Sequence, residues 1–148
     1  KKMDVKIKFI SDGDVSGVIY VVDDKFPVDI YLGIGGGPEG VLAAAALSCL
    51  GGQIQGRLYL NEEQKIKAKK MGIIDYKKKF NIDEMIKGDV MFFATGVTNG
   101  DLIKGIKDQG EYFEASTLVL HKDSKTNKII TNKHKKWVHF QKLEKNGF

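Results

Sequence analysis

Two short stretches carry residue types that could do chemistry. Ser11-Asp12-Gly13-Asp14 sets two carboxylates one glycine apart, and Gly35-Gly36-Gly37-Pro38-Glu39 sets a glycine turn against a single acid. Ionised carboxylates are pure acceptors. They can receive sugar hydroxyls, hold a hard cation, or cap a helix by accepting its first amides. For Asp12 and Asp14 the capping and ligand-binding readings both stand. At the second stretch, glycines let a backbone approach a ligand closely, and the first amides of a following helix favour an anion. Glu39 falls in that same first turn, where a bare carboxylate would repel a phosphate. Either the turn binds no phosphate, or a cation lies between the two.

The elements around these stretches follow from hydrophobic spacing. Val5, Ile7 and Phe9 alternate with lysines, which predicts a strand with one buried face running into Asp12. Residues 15–22 predict a short helix, with a strand as the alternative because of the β-branched run. Ile30, Leu32 and Ile34 predict a strand that empties into the glycine turn. Pro38 then suits the first position of a helix that ends at Gly51-Gly52. That helix is apolar or small on every side apart from Ser48, so it should be sandwiched between layers. The open edge of an α/β sheet, beyond its strand ends, is where such folds place ligands.

Further along, residues 54–60 predict a strand carrying Arg57, which is read as a surface or structural ion pair rather than an anion contact. Asn61 with Gln64, and Asn81 with Glu84, have the spacing of capping boxes; Gly72 and Gly88 are the matching stops. Residues 90–94 predict an interior strand, with 95–101 as its exit turn. Residues 112–121 and 128–131 predict an antiparallel pair joined by a polar turn at 123–127. From residue 133 the tail reads as solvated, with Trp137 and Phe140 as anchors and no role assigned.

Composition narrows the class. A chain of 148 residues with 42% hydrophobic content can bury one ordinary core, so a single domain is expected over residues 1–148. No apolar run reaches the roughly 20 residues needed to cross a bilayer. The net charge of +5 comes from dispersed lysines, and Arg57 is the only arginine. Nucleic-acid readers usually carry clustered arginine forks, so no nucleic-acid partner is expected. The single cysteine, Cys49, allows no internal disulfide and fits a reducing, cytoplasmic compartment; it reads as packing. His121, His134 and His139 lack metal-ligand spacing. The chain opens at Lys1 without an initiator methionine, which reads as a piece of a longer polypeptide.

Four ordered motifs, DGDVSG from Asp12, DIYLGIGGGPEGVLAAAALSCLGGQIQGRL from Asp29, KAKKMGI from Lys67 and FFATGVTNGDLIKG from Phe92, resemble the C-terminal half of class II fructose-1,6-bisphosphatase. The resemblance implies an α/β, layered fold of the lithium-sensitive sugar-phosphatase kind, with a mixed sheet and flanking helices. It implies hydrolysis of the 1-phosphate of fructose 1,6-bisphosphate with Mn²⁺ or Mg²⁺, in gluconeogenesis. Carried onto matching positions, substrate contacts fall on Asp12, Gly13, Asp14 and Gly36, and a metal-ligand glutamate falls on Glu39. The implied cation then separates Glu39 from the phosphate. The family's other acidic ligands, and the threonine that orients its attacking water, belong to an N-terminal half that this sequence does not include, so no catalytic residue is assigned here. That half is an expected partner, and a homo-oligomer is the expected assembly.

Two other readings compete. Gly35, Gly37 and Gly40 satisfy G-x-G-x-x-G, with Glu62 about 20 residues on for a ribose, the pattern of a dinucleotide-binding domain. Pro38 removes one amide such a site uses, and Glu39 repels a pyrophosphate. The third reading is a non-catalytic interaction domain.

Overall fold

The computed structural model describes residues 4–11 and 14–136. Two compact units divide between Val90 and Met91.

In the first unit, α1 (Asp14–Ile19) packs on α2 (Gly37–Leu50). The predicted helix at 15–22 is thus shorter and starts one residue earlier. Val18 of α1 meets Ala43 and Leu47 of α2, and Val22, Tyr31, Ile54 and Ile82 close around them. Alanines at 43, 44 and 46 let neighbouring backbone come close, and all three are buried. Val41 and Leu42 remain about half exposed, so α2 is enclosed on one face rather than sandwiched on both. Its ends match the sequence. Gly36 precedes the helix in an extended conformation, and Gly51 closes it at φ 75°, donating its amide to the Leu47 carbonyl. That left-handed geometry is where glycine is favoured.

β1 (Gln55–Arg57) pairs antiparallel with β2 (Lys79–Asn81). Between them, α3 (Glu62–Lys70) starts from a reciprocal box: Asn61 Oδ1 accepts from the Gln64 amide at 2.9 Å, and Gln64 Oε1 accepts from the Asn61 amide at 2.9 Å. Asn81 and Glu84 repeat it at α4 (Ile82–Met85). Asn61→Ala leaves the Gln64 amide without its side-chain acceptor and is expected to destabilise the chain by about 1 kcal/mol, read as a lower Tm.

The strands predicted over Val5–Phe9 and Ile30–Ile34 do not form. Residues 4–10 and 30–36 have no regular structure, and Val5, Ile7, Phe9, Ile30, Leu32 and Ile34 are all exposed. Alternating apolar residues specify a strand only where a neighbouring strand takes up the backbone hydrogen bonds. No described strand does so for either segment.

In the second unit, β5 (Tyr112–His121) is central. β3 (Met91–Thr95) and the two-residue β4 (Lys107–Asp108) lie along one side of it, and β6 (Thr126–Lys135) along the other. The chain combines helices and sheets, as expected of an α/β fold, and all described ladders in both sheets are antiparallel. Phe92 faces Leu120 across the ladder, and with Leu118 they bury one sheet face; Ser116, also buried, is satisfied by Thr131 Oγ1 at 2.9 Å. Lys136 closes the sheet's end by donating to Asp108 Oδ2 at 2.6 Å, which with the Gly110 amide holds the Asp108 carboxyl below its ordinary range.

Between β3 and β4 the chain makes a tight loop. Ile106 N–H donates to the Val97 carbonyl at 3.1 Å, and Gly105 N–H donates to Asn99 Oδ1 at 3.0 Å. Two glycines permit the crossing of its arms. A methyl group on Gly96 would collide with the Lys104 carbonyl oxygen, and one on Gly105 would lie 2.5 Å from the Thr98 carbonyl carbon. The strand-exit reading of this segment therefore stands, with backbone contact as its cause. Trp137, Phe140 and His139 lie outside the described residues.

Candidate active site

Gly36 and Glu39 belong to one turn. Pro38 enters the helix where its missing amide costs nothing, and the Gly40 amide donates to the Gly36 carbonyl at 3.1 Å. The Glu39 side chain folds back over Gly36, so that a methyl group there would overlap Glu39 Oε2. Gly36 has φ −68° and ψ 160°, which any residue adopts, so torsion does not require glycine here; what a side chain would meet is the flexible end of Glu39. Around Gly37 and Gly40 no atom lies within 4 Å of where a side chain would begin, which leaves that side of the turn open. Among the described residues Glu39 has no hydrogen-bond or ion-pair partner; it is an exposed acid over the positive end of a helix.

Asp12 and Gly13 lie outside the described residues, and Asp14 is described as the first residue of α1 without its side chain. Of the five sequence-predicted site residues, the structure thus brings Gly36 and Glu39 together. α1 and α2, which begin beside the two candidate stretches, are packed on each other through Val18, Ala43 and Leu47.

A carboxylate oxygen is the donor that Mg²⁺ or Mn²⁺ takes. Among the described residues, however, no group of three acidic, histidine or cysteine side chains could hold a metal ion. Glu39 fits as one ligand of such an ion and does not complete its shell.

Elsewhere the chemistry-bearing residues have structural work. Cys49 Sγ donates to the Val90 carbonyl at 3.5 Å, as packing predicts. Arg57 is exposed, stands opposite Lys79 in the ladder, and has no ion-pair partner among the described residues, against the expected pairing. A cavity of about 440 Å³, lined by Tyr59, Lys65, Ile74, Tyr76 and Lys77 among others, includes none of the candidate residues. Glu62, the ribose contact of the dinucleotide reading, opens α3 and pairs with Lys65 at 2.6 Å. No described helix is long and apolar enough to cross a membrane.

Residues 1–134 match the family model of bacterial, glpX-encoded fructose-1,6-bisphosphatase. The chain belongs to this family. It is 35% identical over 145 residues to a D-fructose 1,6-bisphosphatase class 2/sedoheptulose 1,7-bisphosphatase of Synechococcus sp. (strain JA-3-3Ab), covering 88% of this chain and 42% of that protein. It is 32% identical over 148 residues to fructose-1,6-bisphosphatase 2 class 2 of Escherichia coli (strain K12), covering 90% of this chain and 46% of that protein. The chain spans less than half the length of these bisphosphatase relatives. A bisphosphatase must hold a substrate with two phosphate groups, each carrying close to two negative charges, which the lone Glu39 carboxylate would oppose without a cation.

Proposed function

We propose that this chain is the C-terminal half of a metal-dependent sugar bisphosphatase, which hydrolyses the 1-phosphate of fructose 1,6-bisphosphate to give fructose 6-phosphate and phosphate. One observation carries the reading: in a chain matched to the family over residues 1–134, an acid without a partner among the described residues lies over the Gly36 backbone at an open helix start.

Glu39 holds one divalent cation, Mn²⁺ or Mg²⁺, together with carboxylates from the N-terminal half of the same polypeptide. When bound, such a cation neutralises charge on the phosphoryl oxygens and lowers the pKa of a water. Gly36 leaves room for the ligand beside that carboxylate. Asp12 and Asp14, with the Gly13 backbone between them, accept hydrogen bonds from sugar hydroxyls and fix the furanose for in-line attack. The remaining acidic ligands and the group that orients water come from outside this chain. The same reading places the enzyme in the cytoplasm, in gluconeogenic carbohydrate metabolism, as a homo-oligomer.

Asp14→Asn in the complete enzyme tests the reading. Losing a charged acceptor for a sugar hydroxyl should lower kcat/KM for fructose 1,6-bisphosphate by the equivalent of about 1–3 kcal/mol, with Tm little changed. Unaltered kinetics with a large fall in Tm would return Asp14 to the role of a helix cap.

A further inference from the structure

We infer that Asn99-Gly100 is a site of spontaneous deamidation that the closed β3–β4 loop holds in check. Both residues are exposed, so water and hydroxide reach them. In an open chain the Gly100 backbone nitrogen gives up its proton to solvent and attacks Asn99 Cγ. The new C–N bond closes a five-membered imide, the Cγ–Nδ2 bond breaks, and ammonia leaves. Water then opens one imide carbonyl or the other, which leaves an aspartyl or an isoaspartyl residue at position 99. Glycine in the second place favours the attack, because no side chain crowds the nitrogen and the backbone turns freely.

The loop restrains both partners in that reaction. Gly100 N–H donates to the Ile103 carbonyl at 3.0 Å, so the attacking nitrogen is engaged through the proton it must lose. Asn99 Oδ1 accepts from the Gly105 amide at 3.0 Å, which ties the reacting side chain across the loop. Gly105 is itself buried against the backbone of Thr98 and Asn99, so the tie holds until the two arms part. The reaction therefore proceeds through the open fraction of the loop.

Nothing in the fold asks for glycine at position 100. Its φ is not positive, and a methyl group there would meet the Ile103 carbonyl oxygen at an ordinary 3.7 Å. The isoaspartyl product is another matter. It adds a methylene to the main chain where Gly96 and Gly105 leave no room, so a loop modified in this way does not reseat.

Peptide mapping by mass spectrometry, after incubation of the complete enzyme under mildly alkaline conditions, reads the conversion at position 99. The Asn146-Gly147 pair falls in a different peptide and is scored apart. Folded wild-type enzyme should convert at least about tenfold more slowly than the same protein unfolded in guanidinium chloride. Gly105→Ala, which opens the loop, should speed conversion at least about threefold in protein that circular dichroism shows to be folded. Asn61→Ala weakens a helix cap in the other unit and should leave the wild-type rate unchanged. Gly100→Ala should slow conversion at least about tenfold even in the unfolded chain. Equal rates in folded and unfolded wild-type protein would overturn the inference, whether or not Gly105→Ala folds. So would a wild-type rate in folded Gly105→Ala, an equal acceleration by Asn61→Ala, or the absence of isoaspartyl product from the unfolded chain.

Discussion

Glu39→Gln in the complete enzyme should lower Mn²⁺-dependent turnover by about 10²-fold or more, and raise the metal concentration required, while leaving the metal-free protein folded. Glutamine keeps the size and hydrogen-bonding capacity of the side chain but removes the charge that holds a divalent cation. The structure gives the charge no other employer: among the described residues Glu39 pairs with nothing, and its carboxylate lies over Gly36 on the open side of the turn. If other acids face it across the site, removing the charge relieves repulsion, and metal-free Tm should hold or rise slightly. A glutamate serving only the α2 dipole predicts the reverse, about 0.3–1 kcal/mol of lost stability with normal turnover. Turnover against Mn²⁺ concentration, with metal-free melting beside it, separates the two.

Gly105→Ala is expected to give a large loss of stability. Its methyl group would be placed 2.5 Å from the Thr98 carbonyl carbon and 2.7 Å from the Asn99 nitrogen, and both are backbone atoms that cannot rotate away. The loop must open, and the bond from the Gly105 amide to Asn99 Oδ1 goes with it. Overpacking of this kind costs about 1–3 kcal/mol. Gly100→Ala supplies the control, because its nearest neighbour would be the Ile103 carbonyl oxygen at 3.7 Å, an ordinary contact. Urea unfolding of the two variants should show a lower midpoint for Gly105→Ala and almost none for Gly100→Ala.

What the sequence revealed about the fold was what is decided locally. The capping boxes at Asn61 and Asn81, the start of α2 near Pro38 and its Gly51 stop depend on residues within a turn of one another, and each is found where the spacing put it. β5 also has its predicted bounds, since a long alternating run needs little help to be recognised. β4 was missed because two residues have no period. β6 runs beyond residues 128–131 at both ends because its pairing with β5, rather than its own polar sequence, sets its length. The alternation at Val5–Phe9 and Ile30–Ile34 promised strands that the described chain does not pair. At the candidate site, the glycine turn and its acid were legible as a helix start in tension with an anion.

The central claim is that this chain supplies one ligand and the sugar-binding carboxylates of a site completed by another segment. A cation held by one carboxylate is neither tightly bound nor correctly placed for hydrolysis. Phosphate release from fructose 1,6-bisphosphate with Mn²⁺, measured for the 148-residue chain alone and again with the N-terminal half supplied, tests this most directly. The account predicts no measurable release from the chain alone and restored release with its complement. Sustained turnover by the chain alone would contradict it.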